Sequence, residues 1–125
     1  MGDFRNILRK RGLLDRDNDA MTQKVLFLPG DGIGPDIIEQ ARGVLEHANE
    51  RLSLGLDFDE ALVGGAAIEA SGSPLPDDTM AKAREAGGIL LGAVGGPKWD
   101  HLEMAHRPEK GLLGLRSGLG LFANL

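Results

Sequence analysis

The sequence has no cysteine, no tyrosine and a single tryptophan among its 125 residues. Without cysteine, neither a disulfide framework nor a thiolate metal site can form, which fits a reducing, cytoplasmic compartment. No apolar run approaches the about 18 residues that a membrane span requires, so no membrane partner is expected. Basic residues are outnumbered, 14 against 19 acidic, and the net charge of −5 argues against nucleic acid as a partner, because binding phosphates needs clustered Lys and Arg.

Glycine, by contrast, is abundant, with 19 residues against four Phe. Many positions are therefore expected in loops or where two backbones approach closely. The hydrophobic share of 42% and the charged share of 26% are those of an ordinary globular chain. The length suits one compact domain or part of one.

The composition changes after the first twenty residues. Residues 1–20 hold five basic and four acidic side chains, whereas residues 21–125 hold nine basic and fifteen acidic ones. The four aspartates are atypical of a targeting peptide, and no apolar stretch supports secretion. We therefore expect a flexible extension over residues 1–20, with residues 21–125 forming the folded part.

Strand and helix patterns alternate along the folded part. Apolar runs predict strands at 24–29, 56–63 and 88–94. Between them, Pro35 can begin an amphipathic helix, residues 66–70 suggest a short helix, and Asp77 can cap a helix that runs through Ala86. Alternating strands and helices predict an α/β fold, a parallel-rich sheet flanked by helices. The first helix has seven apolar residues at helical spacing: Ile37, Ile38, Ala41, Val44, Leu45, Ala48 and Leu52.

The first glycine-rich turn, GDGIGP, spans residues 30–35. It invites comparison with a dinucleotide-binding fingerprint, whose glycines let the backbone approach a phosphate at a helix start. The spacing fails because Pro35 stands where the third glycine should be. A tight structural turn and a ligand contact both stay open here.

The second glycine-rich turn, residues 92–99, follows a buried strand at its carboxyl end, where open α/β sheets bind ligands. A Walker-type phosphate loop is excluded because Lys98 lies between Pro97 and Trp99 instead of preceding Ser or Thr. Trp99 is interpreted either as a core anchor or as a wall of a ligand cleft.

A helix that starts at Pro108 would place Glu109, Leu112, Leu113 and Arg116 on one face, at i, i+3, i+4 and i+7. That face could hold an anionic molecule with an apolar branch. Spacing alone favours a helix edge at which exposed charges flank two core leucines. The three histidines, His47, His101 and His106, show no metal-ligand spacing.

Five segments in this order resemble the 3-isopropylmalate dehydrogenases of the β-decarboxylating dehydrogenase family. They read KVLFLPGDGIGP, SGSPLP, LLGAVGGPKWD, RPEKGLLGLR and LFANL, and the similarity covers residues 22–125. GAVGGPKWD followed by RPE and GLL-x-LR is the specific part. The resemblance implies NAD-dependent oxidative decarboxylation of 3-isopropylmalate in leucine biosynthesis, assisted by Mg²⁺ or Mn²⁺, in a homodimer.

The resemblance also assigns site residues. Arg116 would bind the malate carboxylate, Leu112 and Leu113 would line the pocket for the isopropyl branch, and Glu109 would face the nicotinamide. Ile33 would touch the cofactor from the other side. The remaining cofactor-facing residues would be Gly96, Pro97, Lys98, Trp99, Asp100, His101, Leu102, Glu103, Met104, Ala105, His106, Arg107 and Pro108.

In this family, the Tyr and Lys that transfer protons and the Asp residues that hold the metal come later than residue 125. The chain therefore contains no implied catalytic or metal-binding residue, and we expect it to be inactive alone, as the first part of a larger subunit. A related dehydrogenase acting on tartrate or homoisocitrate is one alternative. A non-catalytic ligand-binding or dimer-forming chain is another.

Overall fold

The computed structural model describes residues 23–121 and residue 123. Three strands, β1 (Gln23–Gly30), β2 (Leu56–Glu60) and β3 (Gly88–Ala93), form one sheet in the order β2-β1-β3. Both pairings are parallel. The predicted α/β fold with a parallel sheet and flanking helices is thus confirmed. The extension predicted over residues 1–20 lies outside the described residues.

β1 is the central strand, and Leu26, Phe27 and Leu28 are fully buried. A parallel strand covered on both faces carries consecutive apolar residues, which explains the run KVLFL. On one face, Leu26 and Leu28 belong to a core cluster with Ala61, Val63, Ala83 and Leu115. On the other face, the Phe27 ring lies 4.7 Å below the Arg42 guanidinium.

The first helix, α1 (Gly34–Leu52), packs on β1 and β3. Pro35 stands at its start, as predicted. The predicted core face is too wide, however. Ile38 is buried, but Ile37, Leu52 and above all Val44, which is 69% exposed, face away from the sheet. Three strands cover only a narrow stripe of α1, so the flanking apolar positions remain open to solvent.

Three shorter helices complete the described chain: α2 (Gly65–Ser71), α3 (Asp77–Glu85) and α4 (Glu109–Gly118). Asp77 does not cap α3, because Pro76 is the N-cap and no side chain bonds to the helix start. Asp77 instead places its charge in the first turn, near the positive end of the helix dipole. None of the helices in the part of the chain described is long and apolar enough to cross a membrane.

The second strand was predicted over residues 56–63, but it ends at Glu60. Ala61 and Val63 are buried after the strand ends, which explains why the apolar pattern continued. At this end, Asp59 accepts the N–H of Glu60 and the ammonium of Lys82. The hydrogen bond from Glu60, assisted by Lys82, lowers the pKa of the Asp59 carboxyl.

Candidate functional site

Because all three strands are parallel, their carboxyl ends meet at one edge of the sheet, where open α/β sheets bind ligands. The carboxylate of Asp31, just after β1, joins the loops there. Its Oδ2 accepts the backbone N–H of Gly65 at 2.7 Å and of Gly95 at 2.9 Å, and its Oδ1 accepts the N–H of Ala66 at 2.7 Å. The Asp31 N–H donates to the carbonyl of Ala93 at 2.7 Å. The residue after β1 therefore links the first turn of the helix Gly65–Ser71 to the turn that follows β3.

The glycines of GDGIGP serve the turn and the packing of α1. Gly30 has a φ of +74°, which favours glycine, and a Cβ there would collide with the carbonyl of Ala93. A Cβ on Gly34 would strike the backbone of Pro29 and Ala93. These contacts account for the motif without a bound phosphate. Ile33, at the tip of the turn, is 64% exposed, and its contact with a cofactor stays a prediction.

Trp99, in the second glycine-rich turn, lies over α2. Its indole fills the space that a Cβ on Gly65 would take. Trp99 is half-buried and does not belong to the main core cluster. The ammonium of Lys98 lies 5.0 Å from the indole centre and pairs with the carboxylate of Glu69 on α2. The structure therefore places Trp99 at the rim of a cleft and outside the core cluster, and its contact with a ligand stays a prediction.

That cleft has a volume of about 260 Å³ and lies between the two glycine-rich turns. It is open on one side and combines backbone, an indole face and charged groups. Its lining consists of Gly30, Asp31, Gly32, Ala66, Glu69, Lys98 and Trp99.

Segment 96–109 is the part that the family resemblance assigns to the cofactor. It is an irregular loop with two 3₁₀ turns. The guanidinium of Arg107 ties the loop to itself by donating to the carbonyls of Leu102 and Asp100, both at 2.9 Å. His101, Met104 and His106 are exposed. The loop thus has a defined path and presents an open outer surface.

The end of this segment returns to its beginning. A Cβ on Gly95 would lie 2.5 Å from Oε1 of Glu109, so the Glu109 carboxylate rests directly over the Gly95 backbone. Gly95 has a φ of +97°, a conformation that also favours glycine. Glu109 is exposed and opens α4. The predicted nicotinamide-facing residue therefore lies beside the second glycine-rich turn.

The helix that was considered from Pro108 is present as α4, with Pro108 as its N-cap. Its buried face carries Gly111 and Leu115. The interpretation of this segment as a helix edge with two core leucines is wrong for Leu113, which is 52% exposed. Leu112 is half-buried and Arg116 is exposed. The four predicted residues thus form an outer face of α4 with apolar groups between two charges.

No group of three or more His, Asp or Glu side chains that could hold a metal ion occurs within residues 23–121. The acidic residues of the cleft are engaged elsewhere, Asp31 with three backbone N–H groups and Glu69 with Lys98. The described residues alone do not fit a divalent metal.

Sequence reasoning missed Asp31 and its partners Gly64 and Gly65. Gly64 has a φ of +73°, and a Cβ on it would lie 2.6 Å from Oδ2 of Asp31. An aspartate between two glycines directly after a buried strand was the available signal, because a short carboxylate there can reach backbone N–H groups of neighbouring loops.

Residues 24–125 match the family model described as isocitrate/isopropylmalate dehydrogenase. Over 105 residues, the chain is 68% identical to the 3-isopropylmalate dehydrogenase of Hahella chejuensis and 56% identical to that of Pseudomonas putida, covering 84% of this chain and 29% of each relative. The crystal structure of a β-decarboxylating dehydrogenase from Thermococcus kodakarensis aligns with a TM-score of 0.65 at 30% identity, over 81% of this chain and 28% of that one.

Proposed function

Because the chain belongs to the isocitrate/isopropylmalate dehydrogenase family, we propose that it supplies the substrate- and nicotinamide-facing part of an NAD-dependent 3-isopropylmalate dehydrogenase. The names of the relatives that are 56% and 68% identical support the choice of substrate. The chain spans 29% of their length, so the complete reaction belongs to a larger subunit. Residues 21–125 would form its first part, with residues 1–20 as an extension.

The observation that carries this proposal is the outer face of α4. A malate-type substrate offers carboxylates and, at one carbon, an isopropyl branch. The guanidinium of Arg116 presents a planar fork that matches a carboxylate with two parallel hydrogen bonds. Leu113, exposed one turn before it, offers apolar surface that a branch can cover. The exposed Leu113 leaves apolar surface in water, and a substrate of this shape would cover that surface while its carboxylate pairs with the guanidinium of Arg116.

The proposed cofactor is NAD, which accepts a hydride from the substrate when bound. Glu109 would face its nicotinamide end, and Ile33 would touch it from the GDGIGP turn. The fit rests on two features of this chain: exposed Ile33 and Glu109 border the two glycine-rich turns, and those turns leave backbone accessible beside a cleft of about 260 Å³. The other residues of segment 96–109 would form the surrounding wall.

Binding and positioning are the parts of catalysis that this chain would supply. Holding the carboxylate on Arg116 and the branch on Leu112 and Leu113 would orient the reacting hydroxyl carbon toward the nicotinamide side of α4. Glu109 lies on that side, about two helical turns before Arg116. Orientation of two bound reactants can lower a barrier by several kcal/mol, about 7 to 11 in well-aligned systems. We assign no proton transfer to a residue of this chain.

The finer features of the enzyme are proposed as well. The family resemblance favours Mg²⁺ or Mn²⁺ as the metal, a homodimer, leucine biosynthesis as the pathway and the cytoplasm as the compartment. Since residues 23–121 contain no metal-binding cluster, we derive no step through the metal. Its ligands would come from the remainder of the subunit.

A chimeric enzyme tests the proposal. The 105 aligned residues of this chain replace the corresponding residues of the Hahella chejuensis relative, and NADH formation is followed at 340 nm with 3-isopropylmalate, isocitrate, tartrate and homoisocitrate as substrates. We expect turnover with 3-isopropylmalate to exceed the others by at least tenfold, the about 1.4 kcal/mol that a branch of three carbons can easily contribute when buried. A folded chimera that prefers another acid would contradict the proposal.

A further inference from the structure

The Asp31 carboxylate occupies a place that no proposed binding step uses. It is half-buried and accepts three backbone N–H groups, two from the first turn of α2 and one from Gly95. The N–H groups of a first helical turn have no partner within the helix, so a carboxylate that receives them stabilises the helix start. Here the carboxylate comes from the residue after β1, and it connects α2 to the turn after β3.

Two of its three partners in turn contact segment 96–109. Gly95 precedes the segment and lies under the carboxylate of Glu109. Gly65 provides the flat surface on which the Trp99 indole rests. Both the beginning and the end of the segment, and the one aromatic ring within it, therefore depend on backbone groups that Asp31 fixes.

The second tether of this segment is weaker. Lys98 and Glu69 pair on the surface, with side chains 68% and 52% exposed. Exposed ion pairs contribute little and are screened by salt. Hydrogen bonds from N–H groups to a carboxylate are about twice as strong as neutral ones. Of these two tethers, the hydrogen bonds to Asp31 are therefore the stronger one.

We propose that Asp31 is a positioning residue that fixes segment 96–109, and with it Glu109 and Trp99, for cofactor binding. The reference to the cofactor rests on the proposed function, whereas the positioning of the segment is testable in this chain alone. Asp31→Asn is the informative change. An amide has one oxygen, so in either orientation at least one of the three N–H groups faces an NH₂ group instead of an acceptor.

Trp99 is the only tryptophan, so its fluorescence reports the position of the segment without background. In the complete 125-residue chain, Asp31→Asn should increase acrylamide quenching of Trp99 about twofold, because the indole leaves its half-buried seat. By NMR, at least one amide among Gly65, Ala66 and Gly95 should exchange about tenfold faster, the effect of losing one charge-assisted hydrogen bond.

Three variants serve as controls. Asp36→Asn removes an exposed carboxylate of α1 and should leave quenching unchanged. Glu69→Gln removes the surface ion pair, leaves Lys98 beside the indole and should change quenching far less than Asp31→Asn. Leu26→Val lowers the stability of the central strand, where Leu26 is buried, and should leave Trp99 in place. If quenching increased as much in Leu26→Val as in Asp31→Asn, any loss of stability would move the ring.

A folded Asp31→Asn chain with wild-type quenching would overturn the proposal. Complete loss of the far-UV circular dichroism signal would also overturn it, since Asp31 would then be required for the fold itself.

A second measurement uses the wild-type chain. The amides of Gly65, Ala66 and Gly95 should exchange with one common protection, because one carboxylate holds all three. Unrelated protections would also overturn it. Failure of the chimera to oxidise 3-isopropylmalate would leave these results standing and contradict only the proposed function.

Discussion

The indole ring of Trp99 lies against Gly65, in the space where any other residue would place its Cβ. Gly65→Ala should therefore push the ring outward or strain the start of α2, and overpacking of this kind costs about 1 to 3 kcal/mol. We expect the thermal midpoint to fall and acrylamide quenching of Trp99 to increase. Both are measured on the purified chain.

The matched control for this change is Gly43→Ala in α1, where a Cβ would meet no atom within 4 Å. Alanine in an exposed helix position is more favourable than glycine by about 0.5 to 1 kcal/mol, so this variant should be slightly more stable. If Gly65→Ala behaved like Gly43→Ala, Trp99 would not be seated on Gly65.

The contrast between these two glycines shows where sequence reasoning reached its limit. Periodicity predicted the strands and α1, because each of these elements buries one face or one run of apolar residues. It also predicted the Glu-Leu-Leu-Arg face, since helical spacing alone places those residues together. Which face points outward depends on the packing of Gly111 and Leu115 against other elements, and a single sequence does not encode that in any local pattern.

Contacts between residues far apart in the sequence explain why the role of Asp31 was missed. Asp31 and Gly95 are 64 positions apart, and no spacing rule connects them. The exposed Val44 and Ile37 are a similar case, because helical periodicity gives an apolar face but not how much of it the sheet covers. Asp77 was assigned as a cap because its residue type is typical of caps, whereas Pro76 takes that position.

Leu113 provides a prediction that separates stability from function. It is 52% exposed, so Leu113→Ala should hardly alter the thermal midpoint of the chain. In the chimera, the same change should lower kcat/KM for 3-isopropylmalate by about 15- to 60-fold, since two or three buried methylene equivalents contribute about 0.8 kcal/mol each. Leu52→Ala, at another exposed leucine in the last turn of α1, is the control and should change neither quantity.

We also predict that the 125-residue chain forms no NADH by itself. It contains no tyrosine, and residues 23–121 offer no metal-binding cluster. The proton-transferring tyrosine and the metal ligands that the family resemblance implies are therefore not supplied by these residues. The assay uses purified chain with 3-isopropylmalate, NAD and Mg²⁺ or Mn²⁺, with the chimera as the positive control. NADH formation that depends on the metal would refute this prediction.

Deletion of residues 1–20 should leave the folded part unchanged, because no apolar periodicity in that stretch can join the core. The thermal midpoints of the two forms should agree within about 4 °C, the shift that corresponds to roughly 1 kcal/mol or less. Calorimetry on both chains measures this difference. A larger loss would show that the extension contributes to stability.

The central proposal is that Arg116, on the outer face of α4, binds the substrate carboxylate. Steady-state kinetics on the chimera compare Arg116→Lys and Arg116→Ala with Arg84→Ala, an exposed arginine of α3. Losing one partner of a desolvated charge pair costs about 2 to 5 kcal/mol, which lowers kcat/KM for 3-isopropylmalate by roughly 30-fold to several thousand-fold. Lysine should not restore it, because a point charge cannot replace the planar fork, and NAD affinity should hardly change. A decrease below about threefold, or under roughly 0.7 kcal/mol, would contradict the claim and leave Arg116 as a solvated residue at the helix edge.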